Sequence, residues 1–136
     1  MRNALLIAVA LLVAVGSGWL WGASGRWSAE RTTQVQQVRQ NLVEGRSALL
    51  DARLALYSVN FGEASQHMEQ ARTLLRRGGD GLKGLGRDAE NKQVATALAM
   101  IDDAQRLTGK LDQNANSRTG EASKIIADVL DSMAKR

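Results

Sequence analysis

Residues 35–59 read VQQVRQNLVEGRSALLDARLALYSV, and the fold turns on this stretch. Apolar or small residues stand at Val35, Val38, Leu42, Gly45, Leu49, Ala52, Leu56 and Val59, alternating by three and four without a miss. A helix turns once in about 3.6 residues, so this spacing collects them along one side. Such a seam suits a helix packed lengthwise against partners. Val38, Leu42, Leu49 and Leu56 are its candidate packing residues, and the spacing does not separate packing within the chain from packing between chains. Arg39, Arg46 and Arg53 recur every seven residues on another face. They read as a solvated stripe, with a phosphate- or lipid-binding row as the alternative.

The helical period continues toward the C-terminus. A second helix is expected over about 61–77, with Asn60 as cap and Glu63 at the capping-box offset. Its face is Phe61, Ala64, Met68, Ala71 and Leu75, small enough for close approach to the preceding helix. The first four of these also match the spacing in the second helix of a tetratricopeptide repeat. That resemblance covers less than one repeat and has no second copy at the ~34-residue period, so no repeat is assigned. Next, Gly78 to Gly86 holds five of the thirteen glycines. Gly79-Asp80-Gly81-Leu82-Lys83-Gly84 satisfies GxGxxG formally, but no strand precedes it, as a dinucleotide site requires. Leu85 stands where a P-loop needs lysine. The stretch 78–87 is therefore expected to be a loop after a helix end marked by Arg76 and Arg77. A third helix is expected over 88–112, with Val94, Ala97, Ile101, Ala104, Thr108 and Leu111 as its seam. A polar linker, 113–118, leads to a fourth helix over about 119–135, capped by Ser117 or Thr119, whose face includes Ala122, Ile125, Ile126, Val129, Leu130 and Met133.

Upstream the character changes. Residues 4–15 read ALLIAVALLVAV behind a single basic residue, Arg2, and no charge appears from Ala4 to Arg26. Two devices begin this way. One is a secretory signal cleaved after Ala23; the other is an uncleaved anchor. From Ala4 to Gly22, 19 residues would span about 28 Å as a helix at ~1.5 Å per residue, close to a bilayer core. All three tryptophans, Trp19, Trp21 and Trp27, lie where the segment would leave the hydrocarbon. Amphipathic indoles favour that interface, and bulky Trp21 suits a small-residue cleavage site poorly. The anchor is the preferred expectation: a single pass of the inner membrane, with the remainder on the periplasmic side.

The composition closes several routes to chemistry. With no cysteine and one histidine among 136 residues, there is no disulfide, thiolate nucleophile or cysteine-based zinc site. Asp102 and Asp103 point about 100° apart on a helix and have no His or Cys partner. His67 lies one residue off the second helix's apolar face. No catalytic residue, cofactor-binding residue or metal ligand is assigned, and no enzymatic activity is expected. The net charge is +4. Residues 26–77 carry eight Arg and five acids, whereas 78–136 carry nine basic and nine acidic residues. This small Arg excess beside the anchor suits an anionic membrane surface, and no nucleic-acid partner is expected. The absence of proline agrees with long helices.

Together these readings predict an all-α protein. An N-terminal transmembrane (or signal) helix, 1–25, leads into a three- to four-helix antiparallel bundle over 26–136. The function expected is that of a membrane-tethered interaction or scaffold subunit of the bacterial cell envelope, with a protein partner or homo-oligomer through helix packing. The alternative is a ligand-binding sensory bundle that signals through a partner, similar in architecture to the extracytoplasmic half of bacterial chemoreceptors. A soluble periplasmic protein left by signal cleavage is the third expectation.

Overall fold

The alternating seams become four α-helices in the computed structural model, which describes the backbone of residues 2–135 and the side chains of residues 30–135. They are α1 (Arg2–Tyr57), α2 (Phe61–Gly84), α3 (Asp88–Thr108) and α4 (Asn114–Ala134). The chain divides into two compact units, Met1–Gln34 and Val35–Arg136, and the second holds the bundle. The apolar segment 4–22 with Trp19, Trp21 and Trp27 lies outside the residues whose side chains are described. Among the described residues no helix is long and apolar enough to cross a membrane.

Within the bundle each helix runs against its neighbour in the opposite direction. On α1 and α2, Val38 meets Gly81, Leu42 meets Gly78, and Gly45 meets Leu75, so rising numbers on one face falling numbers on the other. Between α2 and α3, Arg72 pairs with Asp102, and Gln105 donates to Glu69. Between α3 and α4, Arg118 approaches Asp103 and Ser132 donates to Glu90. Arg53 on α1 closes the circuit by donating to the Asn116 side chain on α4 at 2.9 Å. The core is Val38, Leu42, Leu49, Leu56, Met68, Leu75, Leu82, Val94, Ile101, Ile126 and Val129, interleaved with nine buried alanines. Alanine adds little side-chain bulk between helix axes, so the core is thin and the helices approach closely.

The glycine-rich segment departs most from the sequence reading. Residues 78–84, expected as loop, continue α2 to Gly84. Glycine lowers helix propensity by about 1 kcal/mol relative to Ala, but here its missing side chain makes room for another helix. A methyl group on Gly78 would come within 2.7 Å of Leu42 Cδ2. One on Gly81 would collide with Val38 Cγ2. Leu82, the residue after Gly81, is fully buried. The helix ends at Gly84 and is closed by Gly86, which takes φ 71°. There the Arg87 amide donates to the Leu82 carbonyl and the Gly86 amide to that of Lys83, a Schellman closure.

Two other boundaries move. The seam of α3 ends with Thr108, and Leu111, expected on it, is exposed. The linker 113–118 is helical from Asn114, because Asp112 accepts the Asn114 amide and Ala115 and Thr119 extend the buried face of α4. Thr119 is therefore an interior residue rather than a cap, its hydroxyl donating to the Ala115 carbonyl at 2.8 Å. At the start of α2 the Asn60 side chain accepts the Glu63 amide and donates to the Glu63 carboxylate.

Candidate interaction surface

Helix α1 has two apolar sides. The first carries Val38, Leu42, Leu49 and Leu56, at most 6% exposed and packed inside the bundle. These side chains serve the chain's own core and are not available to a partner. The ends of the same seam, Val35 and Val59, are exposed.

The second side is Val43, Ser47, Leu50, Leu54 and Tyr57, also spaced by four and three. Val43 is 48% exposed, Leu50 38%, Leu54 65% and Tyr57 69%. At about 100° per residue this stripe lies some 140° around the helix from the buried seam. Single exposed aliphatics are ordinary, but three of them and Tyr57 in one row, interrupted only by Ser47, make an apolar strip. Arg39, Arg46 and Arg53 border it on the α4 side, while Glu44 and Asp51 border it on the other. Arg53 is held by Asn116, and its guanidinium lies over Gly120. Arg39 and Arg46 form no ion pair among the described residues, and the Arg46 Nε is buried without a hydrogen-bond partner.

The stripe runs to the end of the bundle where α1 turns into α2 and α3 turns into α4. Tyr57 and Val59 line a small cleft there with Leu56, Gln113 and Asn116. Val59 (φ 59°) and Leu111 (φ 57°) both take the left-handed conformation and are 62% and 66% exposed. Each fills the place in its helix closure that Gly86 fills after α2: the Asn60 amide reaches the Ala55 carbonyl, and the Asp112 amide reaches that of Leu107. For an L-residue this conformation costs roughly 1–2 kcal/mol, and more for a β-branched one. Val59→Gly is accordingly expected to raise bundle stability by about 1 kcal/mol, although it deletes an aliphatic side chain. Denaturant unfolding measures this; destabilisation by the substitution would mean that Val59 contributes packing the turn depends on.

Other polar groups are mostly spent on holding helices together. Arg72 reaches Glu69 at 2.7 Å and Asp102 at 3.2 Å. Its hydrogen bond, with one from Gln105, holds the Glu69 carboxyl below its ordinary value, and Glu69 in turn raises the Arg72 guanidinium. Asp103 is bound by Arg106 and approached by Arg118 at 4.0 Å. His67 on α2 is half-buried, its Nε2 3.8 Å from Glu63 and its Nδ1 enclosed without a hydrogen-bond partner. Between α3 and α4 lies an open cleft of about 390 Å³ containing Arg106 and Arg118. Both arginines are already engaged, Arg106 by Asp103 and Arg118 by Glu121 at 3.0 Å. No three His, Cys, Asp or Glu side chains among the described residues gather as a metal site would require. Glu90, 7% exposed, accepts from Arg87 and from Ser132 across to α4.

The exposed stripe was not singled out by sequence reasoning. Its signal is present, since Val43, Leu50 and Tyr57 recur every seven residues beside the arginine row, but the stronger neighbouring seam masks it. Comparison with protein-family models, curated proteins and solved structures finds no match for this chain.

Proposed function

We propose that the chain is a membrane-tethered interaction subunit of the bacterial cell envelope, working through helix-to-helix contact on the outer side of α1. The observation that carries this reading is the exposed row Val43, Leu50, Leu54 and Tyr57 on a helix whose other apolar side is already buried. A closed bundle has no internal use for a second stripe. The tether rests on the uncharged segment 4–22 and the three tryptophans that follow its apolar core. In this reading the bundle lies on the periplasmic side of that membrane. A sensory role would call for cations left free to take an anionic ligand, and those of the α3–α4 cleft are occupied by carboxylates.

Two measurements test the proposal. The full chain is expected to stay with membranes through an alkaline carbonate wash; release at a mass lacking the first 23 residues would replace the anchor with a cleaved signal. A photo-crosslinking residue at Leu54 is expected to give protein adducts in cells, while one at the exposed Gln93 of α3 gives none. Equal labelling from both positions would remove the stripe as an interaction surface.

A further inference from the structure

The charges beside the stripe follow the same seven-residue period as its aliphatics. With Val43, Leu50 and Tyr57 at d positions of a heptad, Gln40, Ser47 and Leu54 take a. Arg39, Arg46 and Arg53 then all fall at g, and Glu44 and Asp51 at e. In a parallel two-stranded coiled coil a g residue faces the e residue five places later on the other strand. That offset sets Arg39 against Glu44 and Arg46 against Asp51. Within one helix the same pairs are five residues apart, beyond the three or four that lets side chains meet. Accordingly, none of these four side chains forms an ion pair among the described residues, and Glu44 only accepts from Gln40. The third arginine behaves differently: the position facing Arg53 would be Ser58, and Arg53 is instead bound to Asn116. The row thus leaves free the two arginines that have acidic counterparts on another strand and engages the one that has none.

We propose that α1 pairs in parallel with α1 of a second copy of this chain. Val43, Leu50, Leu54 and Tyr57 form the contact, with Arg39 against Glu44 and Arg46 against Asp51 in both directions across it. Antiparallel pairing would put g against g and e against e, setting arginine on arginine and carboxylate on carboxylate. The inference rests on the helix-contact function proposed above and names its partner. It also uses the tether, since two copies held in one membrane by the same end present α1 in the same sense. Confinement there raises their effective concentration, which a seam of about two heptads with Gln40 and Ser47 in it requires.

The chain contains no cysteine, so introduced cysteines report contacts without background. In membranes containing the full chain, Leu50→Cys and Leu54→Cys are each expected to form disulfide-linked dimers on mild oxidation, and Gln93→Cys is not. Co-produced Val43→Cys and Tyr57→Cys chains are expected to give no mixed dimer; a mixed dimer exceeding the Leu54→Cys yield would show antiparallel pairing and overturn the proposal. Glu44→Arg with Asp51→Arg, in the Leu50→Cys background, is expected to lower the dimer about tenfold, as four attractive pairs turn repulsive. Co-production with a Leu50→Cys chain carrying Arg39→Glu and Arg46→Glu is expected to restore linkage as a mixed dimer. An unchanged yield after charge reversal, or no dimer at Leu50 and Leu54, would overturn the second-copy inference. A photo-adduct at Leu54 then separates the two readings. An adduct at twice the chain's mass supports the pair, one at another mass overturns the pair but keeps the interaction surface, and none removes both. The acidic residues replaced are solvent-exposed, so unchanged thermal melting checks that the bundle is intact.

Discussion

Leu49→Asp is expected to abolish the cooperative unfolding transition of the bundle. Leu49 is fully buried on α1, in one cluster with Leu42, Met68 and Leu75. Removing an aliphatic side chain from such a place costs about 2–5 kcal/mol through lost burial and the cavity left behind. Aspartate adds the cost of an unpaired carboxylate, or of the proton needed to neutralise it. A domain of this size has roughly 5–15 kcal/mol of stability in all, and a thin core rich in alanine belongs near the lower end. The adjacent Leu50→Asp supplies the contrast, because its side chain lies on the exposed stripe. It is expected to change stability by no more than about 0.5 kcal/mol while weakening association. Thermal denaturation followed by circular dichroism reads both; similar melting of the two variants would mean that the seam and the stripe are not distinct.

The second large effect is expected at the α1–α2 contact. Gly78→Leu is expected to destabilise by about 3 kcal/mol or more, since its first added carbon already lies 2.7 Å from Leu42 Cδ2 and 3.1 Å from Leu42 Cγ. Gly78→Ala sets two terms against each other: helix propensity gains about 1 kcal/mol, and overpacking loses about 1–3. Its net effect is a smaller loss. A double-mutant cycle isolates the contact. With Leu42→Ala in place the methyl at position 78 has space, so the pair is expected to be less destabilised than the sum of the singles by about 1–2 kcal/mol. Additivity would show that Gly78 and Leu42 do not share space. Gly62, where an added methyl would meet Asn60 Oδ1 at an ordinary 3.9 Å, is the control position; Gly62→Ala is expected to be neutral or slightly stabilising.

These contrasts mark which parts of the fold could be read from residues alone. The seam through Leu42, Leu49 and Leu56 was legible because burial on a helix imposes a period that local sequence displays. The extent of α2 was not, because glycine's local preference argues for a break at 78 while its role there is to admit Leu42 from a distant part of the chain. The end of α3 and the start of α4 were missed for a related reason. Leu111 continues the helical period yet sits in a left-handed turn, and Asn114 to Arg118 look like linker yet extend a face through Ala115 and Thr119. For the interaction surface, the arginine row was visible but lacked meaning without exposure. Leu49 and Leu50 are the same residue type side by side: the three–four spacing marks Leu49 as buried, but only exposure shows that Leu50 belongs to a second row.

The α1–α2 contact also has a mechanical consequence. Its projections and hollows change sides along the hairpin: Val38 and Leu42 project from α1 into the hollows at Gly81 and Gly78, whereas Leu75 projects from α2 into the hollow at Gly45. Sliding one helix past the other by a turn, about 5.4 Å, would drive Leu42 toward Leu75, projection against projection. The hairpin therefore resists axial slip as a toothed rack does. A pull along α1 within the bundle is passed to α2 through these interlocked side chains.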